Sequence, residues 1–407
     1  MKEQTMSTIQ YDMLYLLSCG VNKTKPQQNI LEQYKSDDWK LMQLYRFSKQ
    51  HFVEVLTGTV LKQAGVTLPD PWEKDMAKAV RKVILFDAER ARILSFMEQR
   101  GIWYLPLKGI ILKEFYPSVG MRQMSDNDIL FDEAFAEQVR EYMVSLGYEV
   151  ISFGEGNHDV YEKEPVYNFE LHRALYGAAH DNNWEQYYRD VKERLIREDG
   201  SSYGYHMKPE DFYIYIMCHG YKHYQGGGTG IRTLLDFYVY LESLHSEMDF
   251  AYIEKECETL GLSEFEKRNR ALCRKVFGDN AFAELPAEER VPDTAAHTTK
   301  EIITKALSQE ELDMLQYYMT SGVYGTFDRR IENNVKKYSK NGGSSKLRYV
   351  IKRIFPGMET YQYYPFFYKH KWLLPVCWLY RLLRVVFQRE RRERILREAD
   401  AVRKVKV

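Results

Sequence analysis

The stretch that decides the reading is LPLKGIILKEFYPSVGMRQMSDNDILF, residues 105–131, followed at 168–175 by NFELHRAL. An apolar run at 102–107 stops at Lys108-Gly109, and apolar residues continue through Ile110, Ile111 and Phe115. That is the pattern of a buried strand turning into a short helix. A loop follows at 116–123, and residues 125–131 alternate in polarity, as a strand does. Alternation places Asp126, Asp128 and Leu130 on one face and Asn127, Ile129 and Phe131 on the other. On a later strand at 165–175, Asn168, Glu170 and His172 share a face opposite Tyr167, Phe169 and Leu171.

Carboxylates at i and i+2 of a strand stand roughly 7 Å apart at the backbone, so their side chains can converge on a hard cation. Without a cation they repel, and one is driven toward protonation. Mg²⁺ suits such a place, because it is held by few carboxylates together with phosphate oxygens and water. Glu170 offers a third carboxylate if its strand pairs beside 125–131. At Lys108-Gly109 the opening turn of a helix directs backbone N–H groups at a phosphate, glycine permits close approach, and lysine adds charge. A DxD doublet alone is usually a solvated face, and a KG pair alone says little. Their order within residues 102–175 is what points to catalysis.

Outward from this module the chain reads as helix. Residues 1–74 form a helical N-terminal region, with Met42, Leu44, Phe47, Phe52, Val55 and Leu56 at spacings of three and four. TLPDPWE, 67–73, reads as a break before a long amphipathic helix carrying Met76, Val80, Val83, Phe86, Ile93 and Met97 and ending at Gly101. The core spans 75–180 and adds a helix at 133–146 and a strand at 148–153. A helical domain follows at 181–338, with helices at 209–224, 230–246, 250–277 and 309–320. A basic, aromatic helical tail occupies 339–407. The fold class is α+β: a small mixed sheet with helices on one face, flanked by mainly α-helical N- and C-terminal regions.

Composition sets the outer limits. Of 407 residues 44% are apolar, enough for a sizeable core and too many for a disordered chain. Lys plus Arg equals Asp plus Glu at 58 each, so nucleic acid is not an expected partner. The tail departs from this balance, with 16 basic and 5 acidic residues over 341–407, beside Trp372 and Trp378. Such segments can bind anionic lipid. Pro375 interrupts the apolar run 372–387, however, and Leu373, Leu374, Val376 and Leu379 read as core, so packing onto the protein is expected instead. Five scattered cysteines without a CxxC pair fit a reducing cytoplasm. The apolar patch at 13–17 follows Asp12 and reads as a buried helix, not a signal peptide.

Taken together, Leu107-Lys108-Gly109, Tyr116-Pro117, Gly120, Arg122, Asp126, Asp128 and Glu170-Leu171-His172 resemble the bacterial uncharacterised nucleotidyltransferase family, within the DNA-polymerase-β-like superfamily. The resemblance is tight over 102–175 and continues loosely through 217–241 and the tail. It departs from the superfamily in carrying Lys-Gly where Gly-Gly/Ser is usual and Glu as the third acid. The resemblance implies a nucleotidyltransferase core performing two-metal chemistry. Two Mg²⁺ ions on Asp126, Asp128 and Glu170 would serve transfer of a nucleoside monophosphate from NTP to a hydroxyl of an acceptor, with release of pyrophosphate. It further implies that Glu170 helps deprotonate the acceptor and that Lys108 and Arg122 bind the β- and γ-phosphates. Gly109 and His172 would complete the nucleotide site.

Other signals are weaker. His219 and His223 share a helix face, and the resembling family carries histidines there, which implies contact with nucleotide or acceptor. Arg232 and Asp236 are spaced to pair along one helix. His158-Asp159 and His180-Asp181 suggest a metal-dependent phosphohydrolase but lack that class's further ligands. The rival to an enzyme is a non-catalytic nucleotide-binding or interaction module, membrane-peripheral through its tail.

Overall fold

The computed structural model describes residues 6–177, 183–282, 299–338, 345–355, 370–387 and 389–405. These divide into two compact units. One runs through Tyr221 and resumes over Gly230–Val323; the other takes Lys222–Thr229 and the chain from Tyr324 onward.

The first unit is built on five strands: β1 (Tyr104–Pro106), β2 (Asn127–Phe131), β3 (Glu149–Ser152), β4 (His158–Lys163) and β5 (Tyr167–His172). Their order is β1-β2-β5-β4-β3. Only β2 and β5 run parallel, so the sheet is mixed. One face is apolar. Ile129, Phe131, Tyr161, Phe169 and Leu171 join Val83, Phe86, Ile93 and Met97 of the helix Asp70–Arg100 and Val139 and Met143 of the helix Ala136–Ser145 in one buried cluster. Each such side chain is worth roughly 1.5–3 kcal/mol of transfer free energy. That burial holds both helices on this face and leaves the other for polar groups.

Three boundaries differ from the sequence reading. The 67–73 segment is not a break throughout: the long helix begins at Asp70, with Pro71 in its first turn, where a missing N–H costs no hydrogen bond. The segment 250–277 is two helices, Phe250–Thr259 and Ser263–Phe277, parted at Gly261, whose φ of +69° suits glycine. Strand β2 starts at Asn127, so Asp126 precedes the ladder. β4, which the sequence reading did not resolve as a strand, lies inside the sheet between β5 and β3.

The helix Thr8–Asn22 buries Met13, Leu14, Leu16 and Leu17 completely, and it packs on Ser263–Phe277. In the second unit, Ile331 and Val335 of the helix Phe327–Lys337 meet Tyr349, Ala401, Val402 and Val405 in a small cluster of their own. Val376 and Leu379, expected as core, are exposed there at 52% and 59%. Their helix instead buries Cys377 and packs Trp378 edge-on against Phe355, with ring centroids 5.0 Å apart. All five cysteines are free and buried. No helix among the described residues is long and apolar enough to cross a membrane.

Candidate active site

The polar face of the sheet is assembled by register. Asp128 of β2 lies beside Glu170 of β5, and Leu130 lies beside His172. On the other flank β4 places His158 opposite His172. Partners across a ladder share a face, so Asp128, Glu170, His172 and His158 stand together.

Lys108 enters from the end of β1. The Leu107 N–H donates to the Asp128 carbonyl at 2.9 Å, which carries the β1–β2 pairing up to the turn. Lys108 itself has φ +46° and ψ −116°. A non-glycine residue held in so sparse a region costs about 1–3 kcal/mol, and such residues cluster at functional sites. Its ammonium donates to Asp128 Oδ1 and lies 3.9 Å from Glu170 Oε2. Burial opposes the charge on Lys108, but the Asp128 carboxylate outweighs it and holds the ammonium protonated. The helix that Lys108 opens is a single turn, Gly109–Leu112, followed by a 3₁₀ turn. The positive charge at this corner therefore comes from the lysine more than from a helix terminus.

The carboxyl groups differ in proton affinity. Asp128 is 2% exposed, and burial alone would raise its pKa; the Lys108 ammonium and a 2.9 Å hydrogen bond from His172 Nε2 hold it below the usual range. Asp126 is pushed up by burial and then by the charge of Asp128. Glu170 is pushed up to about 8 by burial and then by Asp128. The three acids therefore resist ionising together. An oxygen-rich cluster of this kind fits a divalent cation, which takes the place of protons.

The imidazoles extend the cluster. His158 Nε2 and His172 Nε2 each lie 3.8 Å from Glu170 Oε2, and the two rings are 4.9 Å apart at an angle of 35°. Among the described residues, His158, Glu170 and His172 form one group whose ligand atoms all fall within 4.8 Å of one another.

Arg122 sits behind the Lys-Gly turn. Its Nε and Nη2 donate to Asp236 Oδ1 and Oδ2 at 2.8 and 2.9 Å, and the Tyr116 hydroxyl donates to the same carboxylate at 2.8 Å. Arg122 and Asp236 are each 7% exposed. Gly109 packs directly against this guanidinium, since a Cβ there would come 2.5 Å from Arg122 Nη1. Two of the three nitrogens are thus committed to a buried partner, which suits a support for the turn better than a free phosphate ligand. Asp236 does not pair along its own helix with Arg232. Arg232 instead donates to the Gln123 carbonyl at 3.0 Å.

Of the residues singled out from sequence, Lys108, Asp128, Glu170 and His172 meet directly. Asp126 is coupled to them electrostatically, with Gly109 and Arg122 beneath the turn. His219 is half-buried and His223 exposed on the helix Pro209–Gln225. His180-Asp181 lies outside the described residues. Sequence reasoning raised His158 only as a phosphohydrolase signal, because its place beside His172 required β4 to be recognised, and it missed two further groups. Tyr215 is a buried phenol whose pKa is raised first by burial, with Lys108, Asp128 and Glu170 all in its field. Lys82 donates to the Ser125 carbonyl at 3.1 Å beside Asp126. A lysine on the polar flank of an amphipathic helix carries no signal of its own. Tyr215 had one faint signal, since it precedes His219 by four residues on one helix face.

The family described as "Uncharacterised nucleotidyltransferase" matches residues 35–278, more than half of the chain and all of the sheet. The chain belongs to this family. No curated protein and no solved structure matches it. Membership makes nucleotidyl transfer the general activity of this nucleotidyltransferase-family protein, and the matched span contains Lys108, Asp126, Asp128, Glu170 and His172.

Proposed function

We propose that this protein transfers a nucleoside monophosphate from an NTP to a hydroxyl of an acceptor and releases pyrophosphate. The observation that carries the reading is the convergence of Asp128, Glu170 and a backbone-strained Lys108 on one sheet face, with Asp126 coupled to them. Asp126, Asp128 and Glu170 would hold Mg²⁺, two ions in the complete site. Bound there, the metal supplies charge neutralisation at the phosphoryl oxygens and lowers the pKa of an attacking hydroxyl.

The chain's own groups divide the remaining work. The acceptor oxygen forms a bond to the α-phosphorus as the bond to the β-phosphate bridging oxygen breaks. Glu170, which gives up its proton when the cation binds, is the carboxylate that helps take the hydroxyl proton. Lys108 exchanges its contact with Asp128 for a phosphate oxygen and neutralises the departing pyrophosphate. Gly109 makes room for the Arg122 guanidinium behind the turn, and Arg122 holds that turn through Asp236. His172 and His219 contribute nucleotide or acceptor contacts, with Tyr215 on the face of its helix that meets the site. The test is Mg²⁺-NTP binding alongside turnover. Lys108→Ala should weaken NTP binding by about tenfold or more while slowing transfer less at saturation. Unchanged NTP affinity would contradict the assignment.

A further inference from the structure

We infer that His158, Glu170 and His172 form a site for a divalent transition-metal ion of the kind that accepts imidazole, such as Zn²⁺ or Co²⁺, beside the carboxylates of β2. The inference deepens the transferase reading and rests on it for the role of the ion, not for its binding.

The donor set comes first. One nitrogen from each imidazole and a carboxylate oxygen of Glu170 lie within 4.8 Å of one another. Ligands about 2.0–2.2 Å from a common metal span up to roughly 4.2 Å, so small side-chain adjustments close the set. Two histidines and one carboxylate are a recurrent zinc donor set that leaves a position open. Imidazole nitrogen discriminates against Mg²⁺, which prefers an all-oxygen shell.

The hydrogen bonds around His158 supply a second and independent argument. Asn157 Nδ2 donates to the carbonyls of Ala174 and Leu175 at 3.0 and 3.2 Å. Those two bonds orient the amide, so the atom facing the ring at 3.4 Å from His158 Nδ1 is Oδ1, an acceptor. Nδ1 is therefore the donor in that contact, and Nε2 is the nitrogen on the side of Glu170 Oε2, 3.8 Å away. An imidazole whose outer nitrogen is tied to an amide or carbonyl oxygen is oriented as metal-bound histidines are. The position of Asn157 is itself held by the chain, since the Arg173 and Ala174 N–H groups donate to its carbonyl. His172 reaches the same point from β5. Its Nε2 now faces Asp128 Oδ1 at 2.9 Å, and ion uptake exchanges the shared proton for the metal. Glu170 lies in both donor sets, so this ion and the ion held by Asp126 and Asp128 would share a carboxylate.

The experiment is a Co²⁺ titration of the full chain after chelator treatment, read by visible ligand-field absorbance, with Zn²⁺ and Mg²⁺ as competitors. The expected result is one Co²⁺ per chain, displaced by Zn²⁺ and not by millimolar Mg²⁺. His158→Gln and His158→Ala should each weaken Co²⁺ binding by at least about tenfold. Absence of stoichiometric Co²⁺ binding by the wild type overturns the inference, whatever the variants do. So does unchanged Co²⁺ affinity in folded His158 variants. Mg²⁺-NTP binding of the same samples separates the two readings. NTP binding without a Co²⁺ site sinks this inference alone, and a Co²⁺ site without NTP binding sinks the transferase reading alone.

Discussion

Replacing Asp236 with alanine removes a buried carboxylate that accepts three hydrogen bonds, two from Arg122 and one from Tyr116. The guanidinium then remains in a site where Arg122 is 7% exposed, with no acid against its Nε and Nη2. Breaking a buried ion pair from one side costs about 3–5 kcal/mol, because the surviving charge stays desolvated. Replacing both partners by apolar residues of similar size removes that penalty. Arg122→Met combined with Asp236→Leu should therefore cost about 2 kcal/mol or less. The coupling between the two sites, read from urea denaturation of wild type, both singles and the double, should be at least about 2 kcal/mol. A single substitution within about 1 kcal/mol of wild type would refute the reasoning, since exposed pairs fall in that range. The cycle also bears on chemistry. If Arg122 supports the turn, the folded double variant keeps its NTP affinity; a loss of about tenfold would make Arg122 a phosphate ligand after all.

Two further outcomes follow from packing and protonation. Gly109→Ala places a methyl 2.5 Å from Arg122 Nη1, and this overpacking should cost about 1–3 kcal/mol in thermal or urea melts, with the loss largely relieved when Arg122 is already Met. His51 is fully buried, donates from Nε2 to the Met319 carbonyl and accepts the Ile231 N–H at Nδ1, both at 3.2 Å, so only the neutral ring satisfies both partners. Burial lowers its pKa from 6.5 to about 4. The unfolded chain gains a proton as pH falls through 6.5 and the folded protein does not. The His51 contribution is thus complete above that pH and is lost between 6.5 and 4, amounting to roughly 3 kcal/mol. Urea midpoints at pH 7.5 and 4.5 should show this loss in wild type and a smaller one in His51→Gln; equal losses would contradict it.

Much of the sheet was legible because short-range pattern and long-range packing agree there. Ile129 and Phe131 alternate with Asp128 and Leu130, and Phe169 and Leu171 alternate with Glu170 and His172, so the pairing that brings Asp128 beside Glu170 could be anticipated. β4 was not legible for a physical reason. Its Asp159 is buried on the face where an apolar residue is expected, with Oδ1 accepting from the Gly154 N–H at 2.8 Å and lying 3.3 Å from Arg173, and this breaks the alternation. Missing β4 hid the place of His158 beside His172. The Arg122–Asp236 pair joins residues 114 apart in sequence, which no local pattern reports. The reading of 67–73 as a break gave proline more weight than its position in a first helical turn warrants. Val376 and Leu379 show the converse, because an apolar run does not say which of its members will find a partner.

The central claim is transfer of the α-phosphoryl group through the acids of β2 and β5. The most direct measurement supplies α-³²P- and γ-³²P-labelled NTPs with Mg²⁺ and a cell extract as the source of acceptor, to wild type and to Asp128→Asn. Acceptor labelling from the α-label only, pyrophosphate release, and a loss of about a hundredfold or more in folded Asp128→Asn are expected. Labelling from the γ-position, or near-wild-type transfer by Asp128→Asn, would contradict it.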